Sequence, residues 1–271
     1  MIRVELRKLY RRPRTWISLV LLCALPIAVA IFLATTRVGT GGPAFLSAVL
    51  NNGSLYPAAA LAIVLPLFLP VAVAVIGGDA VAGEASAGML RYLLARPVGR
   101  TRLLIAKLVS LTAFVLVAVV LVAATGYLTG VSLFPPQTGP ASTAIVTSVS
   151  GPPLTPQQVL LRIGAAMVYV AFSMLGVGAI ALFLSTVTDS SLGATLGAIA
   201  ALVASQLFVT LDAATSTRPY LPTRYWLAWI DFFREPILWR DIERGVGIQA
   251  VYVVVFLGLA WANFATKDVA S

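Results

Sequence analysis

From Trp16 to Thr36 the chain runs for 21 residues without a charged side chain. At 1.5 Å rise per residue a helix of that length reaches about 31 Å, the thickness of a bilayer core. In lipid every backbone N–H and C=O must be satisfied inside the segment, so a helix is the natural form for such a run. The pattern recurs. Spans are expected at 16–36, 56–76, 103–129, 159–186, 192–211 and 245–266. Composition agrees: 59% of residues are hydrophobic, 11% are charged and the mean hydropathy is +0.95, against roughly 25% charged in a soluble domain. The fold class expected is an all-α integral membrane protein of six transmembrane helices, a single transmembrane domain over 1–271 with no internal repeat.

Charge sets the orientation. Residues 1–15 hold six basic residues and one acid, which keeps that end in the cytoplasm by the positive-inside rule. Ile2, Leu6 and Leu9 or Tyr10 share a helical face. This suggests an interfacial helix with its apolar side in lipid and its arginines toward headgroups; a plain basic flank that only orients the first span is the competing reading. The first span is too long for a signal-peptide core and lacks a clear cleavage site, so it is expected to stay uncleaved. Six spans then place both termini in the cytoplasm. The net charge of +9 belongs to these flanks; the aromatic-interleaved basic face of a nucleic-acid binder is absent.

The connections differ in character. Residues 37–55, with Gly41, Gly42, Pro43 and Asn51-Asn52-Gly53, form an external loop with room for a short helix at 44–50. Residues 130–157 carry six prolines and no charge, too proline-rich for a span. Residues 185–191 make a tight cytoplasmic turn. Residues 212–244 hold five acids, five arginines and Trp226, Trp229 and Trp239. They are expected at the outer surface as two short amphipathic helices divided at Pro236, since tryptophan settles at headgroup depth. Gly193-x-x-x-Gly197 allows close helix approach, although one such match is weak in so glycine-rich a chain.

The stretch 77–107 is charged between two apolar runs, with Arg91, Arg96, Arg100, Arg102 and Lys107 against Asp79 and Glu84. Met89, Leu90, Leu93 and Leu94 fall on one face of a short helix expected over 85–94, preceded by Gly83 and stopped by Pro97. An amphipathic helix slung between two spans suits contact with another protein.

Catalytic and metal-binding patterns are missing. There is no histidine, and the single cysteine, Cys23, lies inside an apolar run where a buried structural role fits best. Gly78 and Gly83 have the glycine spacing of a phosphate loop, but Glu84 stands where lysine is needed. No Gly-x-Ser-x-Gly elbow or His-Glu-x-x-His occurs. No acid or base is expected mid-span, which argues against an ion-coupled carrier.

The run Glu84-x-x-x-Gly88-x-x-x-x-Leu93-Leu94-x-x-Pro97-x-x-Arg100, followed by Lys107, resembles the first cytoplasmic loop of ABC-2 type transporter permeases. The closing Ala262-x-Phe264-x-x-Lys267-Asp268-Val269 resembles that family's end, and the six-span layout covers the whole chain. Met89 departs from the small hydroxyl residue that often follows the loop glycine. The resemblance implies that 85–94 is a coupling helix docking on a separate ABC-type ATPase. Met89, Leu90, Leu93 and Leu94 would be its docking face, Pro97 its end, and Glu84, Gly88 and Arg100 contacts to the ATPase or supports of the loop's shape. It also implies a second permease copy or a homologous one, and no cofactor in this chain, ATP and Mg being held by the partner. The function implied is ATP-driven export of an amphipathic or lipid-like substrate across a cell membrane. The bias of 16 arginines to three lysines suggests a bacterial source. A scaffold that docks an ATPase without transport, and an ion-coupled carrier, are the alternatives. No substrate residue is assigned.

Overall fold

The computed structural model describes residues 1–36, 53–86, 88, 100–134, 146–211 and 216–266. The elements are α1 (Ile2–Arg11), α2 (Pro13–Thr36), α3 (Tyr56–Val64) after a 3-10 turn at Gly53–Leu55, α4 (Phe68–Ser86), α5 (Arg100–Leu133), α6 (Pro156–Val187), α7 (Ser191–Thr210) and α8 (Trp239–Thr266). A two-residue antiparallel pairing, β1 (Val146–Thr147) with β2 (Pro153–Leu154), lies between α5 and α6. Among the described residues six helices are long and apolar enough to cross a membrane: α2, α4, α5, α6, α7 and α8.

The prolines decide the second span. The stretch expected as one span over 56–76 is two helices. α3 stops at Val64, two residues before Pro66, because proline lacks an N–H and disfavours helix at the residue before it. Pro70 sits in the first turn of α4, where its missing N–H costs nothing. α4 then runs on to Ser86, so Gly83 lies inside it and Ala85 and Ser86 form its last turn, not the start of a new helix. Gly88 follows with φ +67° and donates its N–H to the Ala85 carbonyl at 3.0 Å. That left-handed backbone suits glycine and ends the helix. Residues 87 and 89–99 lie outside the described residues, and with them Met89, Leu90, Leu93, Leu94, Pro97 and the expected helix over 85–94. The expected helix at 44–50 lies outside them too.

At the other end of the molecule, the expected pair of helices over 212–244 is a 3-10 turn at Arg218–Tyr220, a second at Ala228–Phe233, and the start of α8. Trp239–Arg244 therefore continues into the last span, since Pro236 stops the helix from extending further back.

α4 packs between α6 and α7, α8 packs on α6, and α5 packs on α2 and α3. Apolar burial does not by itself drive association in lipid, so close packing of small residues matters more. A Cβ added at Gly77 would lie 2.9 Å from Ala181 Cβ, and one at Gly126 would lie 2.9 Å from Ala60 Cβ. Gly193 and Gly197 make no such approach; their nearest neighbours would stand at an ordinary 3.4 Å. The outer faces of α2, α7 and α8 are apolar and exposed, with Ile17, Phe32, Leu196, Leu207 and Val254 among them, as lipid-facing surfaces should be. Arg100, at the start of α5, donates to the Ala265 carbonyl at 2.7 Å. Lys8 ties α1 to Glu84 at the end of α4, and Arg100 ties the start of α5 to the end of α8, so α1 and the end of α8 share one end of the bundle.

Candidate functional site

The candidate site lies at that shared end, where the charged part of α4 leads into the loop. Glu5, Lys8 and Leu9 lie three and four residues apart on one face of α1, and Arg12 follows at its C-cap in extended backbone. This face turns inward: Glu5 and Leu9 are buried, while Arg3, Val4, Arg7 and Arg11 are exposed. The helix does not rest on its apolar residues alone, as Ile2 is 43% exposed.

Three buried ionisable side chains receive that face. Glu84 is 1% exposed, Lys107 3% and Asp79 4%. Lys107 Nζ lies 2.8 Å from Glu5 Oε2 and 2.5 Å from Glu84 Oε1. Lys8 also pairs with Glu84. Asp79 pairs with Arg12, and its Oδ1 lies 2.6 Å from Arg14 Nη1 and accepts from Ser191 Oγ at 2.7 Å. Four cations, Lys8, Arg12, Arg14 and Lys107, thus face three carboxylates, Glu5, Asp79 and Glu84. Removing charges from water costs several kcal/mol per ion, and pairing offsets it. A cavity of about 30 Å³, lined by Glu5, Lys8, Arg12, Asp79 and Lys107, lies among them, with room for one or two waters. Glu84 Oε2 is buried without a hydrogen-bond partner among the described residues.

Of the residues assigned to the loop from sequence, Glu84 is thus held inside the fold, Gly88 caps α4, and Arg100 binds the last carbonyls of α8, which its charge complements. Trp261 Nε1–H adds a bond to Thr101 Oγ1 at 3.0 Å. Sequence reasoning missed Glu5, Lys8, Arg12, Asp79 and Ser191 as members of one cluster, and placed Lys107 in the loop pattern without assigning it a partner. The spacing of Glu5, Lys8 and Arg12 by three and four residues was the available signal. Nor are these charges confined to exposed ends: Asp79 and Glu84 lie within α4 and Lys107 in the second turn of α5.

The mid-bundle feature is apolar. Between α4 and α7 lies a groove of about 390 Å³, half open to the lipid-facing surface, lined by Pro66, Pro70, Leu202, Gln206 and Trp226 and bordered by the exposed Leu67 and Leu207. At the end away from α1, Arg162 pairs with Glu235 and donates to the Arg234 carbonyl at 3.0 Å, tying the start of α6 to the tryptophan-rich connection.

Compared with known protein families, residues 1–269 match the family described as ABC-2 family transporter protein. A comparison with curated proteins returns no match. The match spans nearly all of the chain and accords with its six membrane-spanning helices. This chain therefore belongs to the ABC-2 transporter family, as a permease embedded in the membrane through several spans.

Proposed function

We propose that this permease is the transmembrane subunit of an ATP-driven exporter, working with a separate ATPase subunit and a second permease copy. Membership in the family implies association with an ABC-type ATPase. The observation that carries the finer reading is the ion cluster. The end of α4 that enters the loop is fastened to α1 through Glu84–Lys8 and Asp79–Arg12, and to α5 through Glu84–Lys107. A force applied to residues 87–99 would reach three elements together instead of bending a loose linker. In this reading the loop end of the bundle faces the cytoplasm, where the positive-inside rule places the basic α1. Glu84 and Arg100 support the loop's frame, while Met89, Leu90, Leu93 and Leu94 form the docking face.

The half-open apolar groove between α4 and α7 favours a cargo with hydrophobic bulk. Gln206 and Trp226 on its wall suit a molecule that also carries a polar group, hence an amphipathic or lipid-like one. Hydrolysis of ATP would take place on the partner.

Docking through apolar side chains fails when they carry charge, because a buried unpaired carboxylate is costly. Leu93→Asp combined with Leu94→Asp is expected to abolish co-purification of the permease with its ATPase while leaving the permease itself folded in the membrane. Retention of both the complex and transport would overturn the docking assignment.

A further inference from the structure

α4 and α7 touch along only part of their length. Near α1, Asp79 accepts from Ser191, and Gly78 lies against the backbone of Thr195. Farther along, Ala74 and Ala198 are buried in one small cluster. Beyond that pair the helices part, and the groove opens between Pro70 and Val71 on one side and Ile199 and Leu202 on the other. The proline break makes room for it, because α3 packs on α5 instead of continuing along α7.

The groove has a polarity. Its α7 wall runs over residues 199–210, about 16 Å at the helical rise. One leaflet contributes about 15 Å to the hydrocarbon core. Ile199, Leu202 and Val203 make the inner part apolar, and Gln206 and Thr210 stand at the end away from α1. Gln206 is half-buried, and its side-chain amide has no hydrogen-bond partner among the described residues. The Thr210 hydroxyl donates to the Leu207 carbonyl at 2.7 Å and keeps lone pairs free to accept. An amide that meets only hydrocarbon is costly, since lipid tails offer it no partner. The polar group of an occupant would. No described residue lining the groove carries a charge. A charged head placed there would lose its water and gain no counter-ion. Leu67, Val203 and Leu207 on the rim are exposed, so the way in is sideways from the bilayer.

We propose that this groove holds one uncharged amphiphile of about one leaflet's length, drawn from the bilayer. Its apolar chain lies along residues 199–203 and its head hydrogen-bonds to the Gln206 amide, which makes Gln206 the residue that selects the head. The order of groups is that of a lipid in the leaflet away from α1. A head bearing a phosphate fits poorly, for want of a counter-ion. The proposal rests on the reading of the groove as the cargo site, and narrows the cargo from amphipathic molecules in general to uncharged ones.

The test uses the full chain in detergent micelles, without ATPase or transport, so it stands apart from the docking experiment. Trp226 lines the groove, and its quenching by lipids with brominated acyl chains reads occupancy. The same titration on Trp226→Phe subtracts the other tryptophans. The probes are a brominated diacylglycerol and the phosphatidic acid with the same chains. Diacylglycerol is expected to quench saturably, with a half-saturating mole fraction roughly tenfold or more below that of phosphatidic acid. Gln206→Met keeps the bulk and removes the amide. It should raise the mole fraction for diacylglycerol roughly threefold to tenfold, the weight of one hydrogen bond, and leave phosphatidic acid unchanged. Equal quenching by both lipids would overturn the uncharged head while leaving the groove a cargo site, and that comparison requires no Gln206 variant to fold. An unchanged diacylglycerol titration in Gln206→Met would overturn the role of Gln206. No quenching of Trp226 by either lipid would mean that the groove is closed to lipid, as a second copy seated on it would make it. That result would overturn the proposal together with the cargo reading.

Discussion

Lys107→Met is expected to lower the stability of the folded permease by about 3–5 kcal/mol, the range found when one partner of a buried ion pair is removed. The ammonium of Lys107 bridges Glu5 and Glu84 and is almost wholly buried. Methionine fills similar space but leaves two carboxylates facing each other. Glu84 retains Lys8, which is partly exposed, and Glu5 loses its only ion pair among the described residues. Glu84→Gln should cost less, because Lys107 keeps Glu5. Combining Lys107→Met with Glu84→Gln should cost less than the two single changes added, since the carboxylate that the first strands is neutralised by the second. Denaturant unfolding in detergent micelles measures all three. A cost below about 1 kcal/mol for Lys107→Met would mean that these charges are worth no more than a solvated surface pair.

The second large effect is expected at Gly78. A Cβ there would lie 2.5 Å from Thr195 Oγ1, 2.8 Å from Thr195 N and 3.0 Å from Thr195 Cα. Two of those atoms are backbone, held in α7, and cannot turn aside. Gly78→Ala must therefore push α4 and α7 apart, and overpacking of this kind costs about 1–3 kcal/mol. It also disturbs Ser191, whose bond to Asp79 spans the same two helices. Gly164→Ala is the control. That glycine lies inside α6 with nothing within 4 Å of an added Cβ, so alanine should stabilise by up to about 1 kcal/mol through helix propensity alone. Opposite signs for two identical substitutions, read by thermal unfolding in the same micelle, would establish that contact at Gly78 outweighs propensity. Equal and small effects would show that α4 and α7 do not approach as closely as described.

Legibility of the chain from its sequence varied with the range of the interaction. The spans α2, α6, α7 and α8 were readable because length and lack of charge are local properties, and lipid imposes a helix on any such run. The prolines at 66 and 70 signalled a break. They did not say which side of it would cross, because α3 is as apolar as α4. Length decided that point: α3 has 9 residues, too few to cross by itself, and α4 has 19; α3 is buried almost throughout and lies against α5, with Ala60 beside Gly126. The end of α4 was missed for a related reason. Glycine at 83 looked like a boundary, yet a helix tolerates one glycine when its neighbours hold it, and Asp79 beside Gly83 is anchored by two arginines and a serine.

The candidate site was the least legible part. Glu84 and Arg100 were picked out by resemblance to a family, not by any chemistry visible in their spacing. Their partners lie far along the chain: Lys8 is 76 residues from Glu84, and the Ala265 carbonyl 165 from Arg100. No periodicity connects such positions.

By itself, the sequence determined that this chain lives in a membrane as a set of helices, because apolar runs of that length without charges or proline clusters satisfy their backbone in lipid as helices. It also determined a family, through a loop pattern and an overall layout. Only the tertiary structure decided where the buried charges meet, which glycines let helices touch, and where α4 and α7 part to leave a groove. Those outcomes depend on distances between residues remote in sequence, and such distances are fixed only when the helices pack.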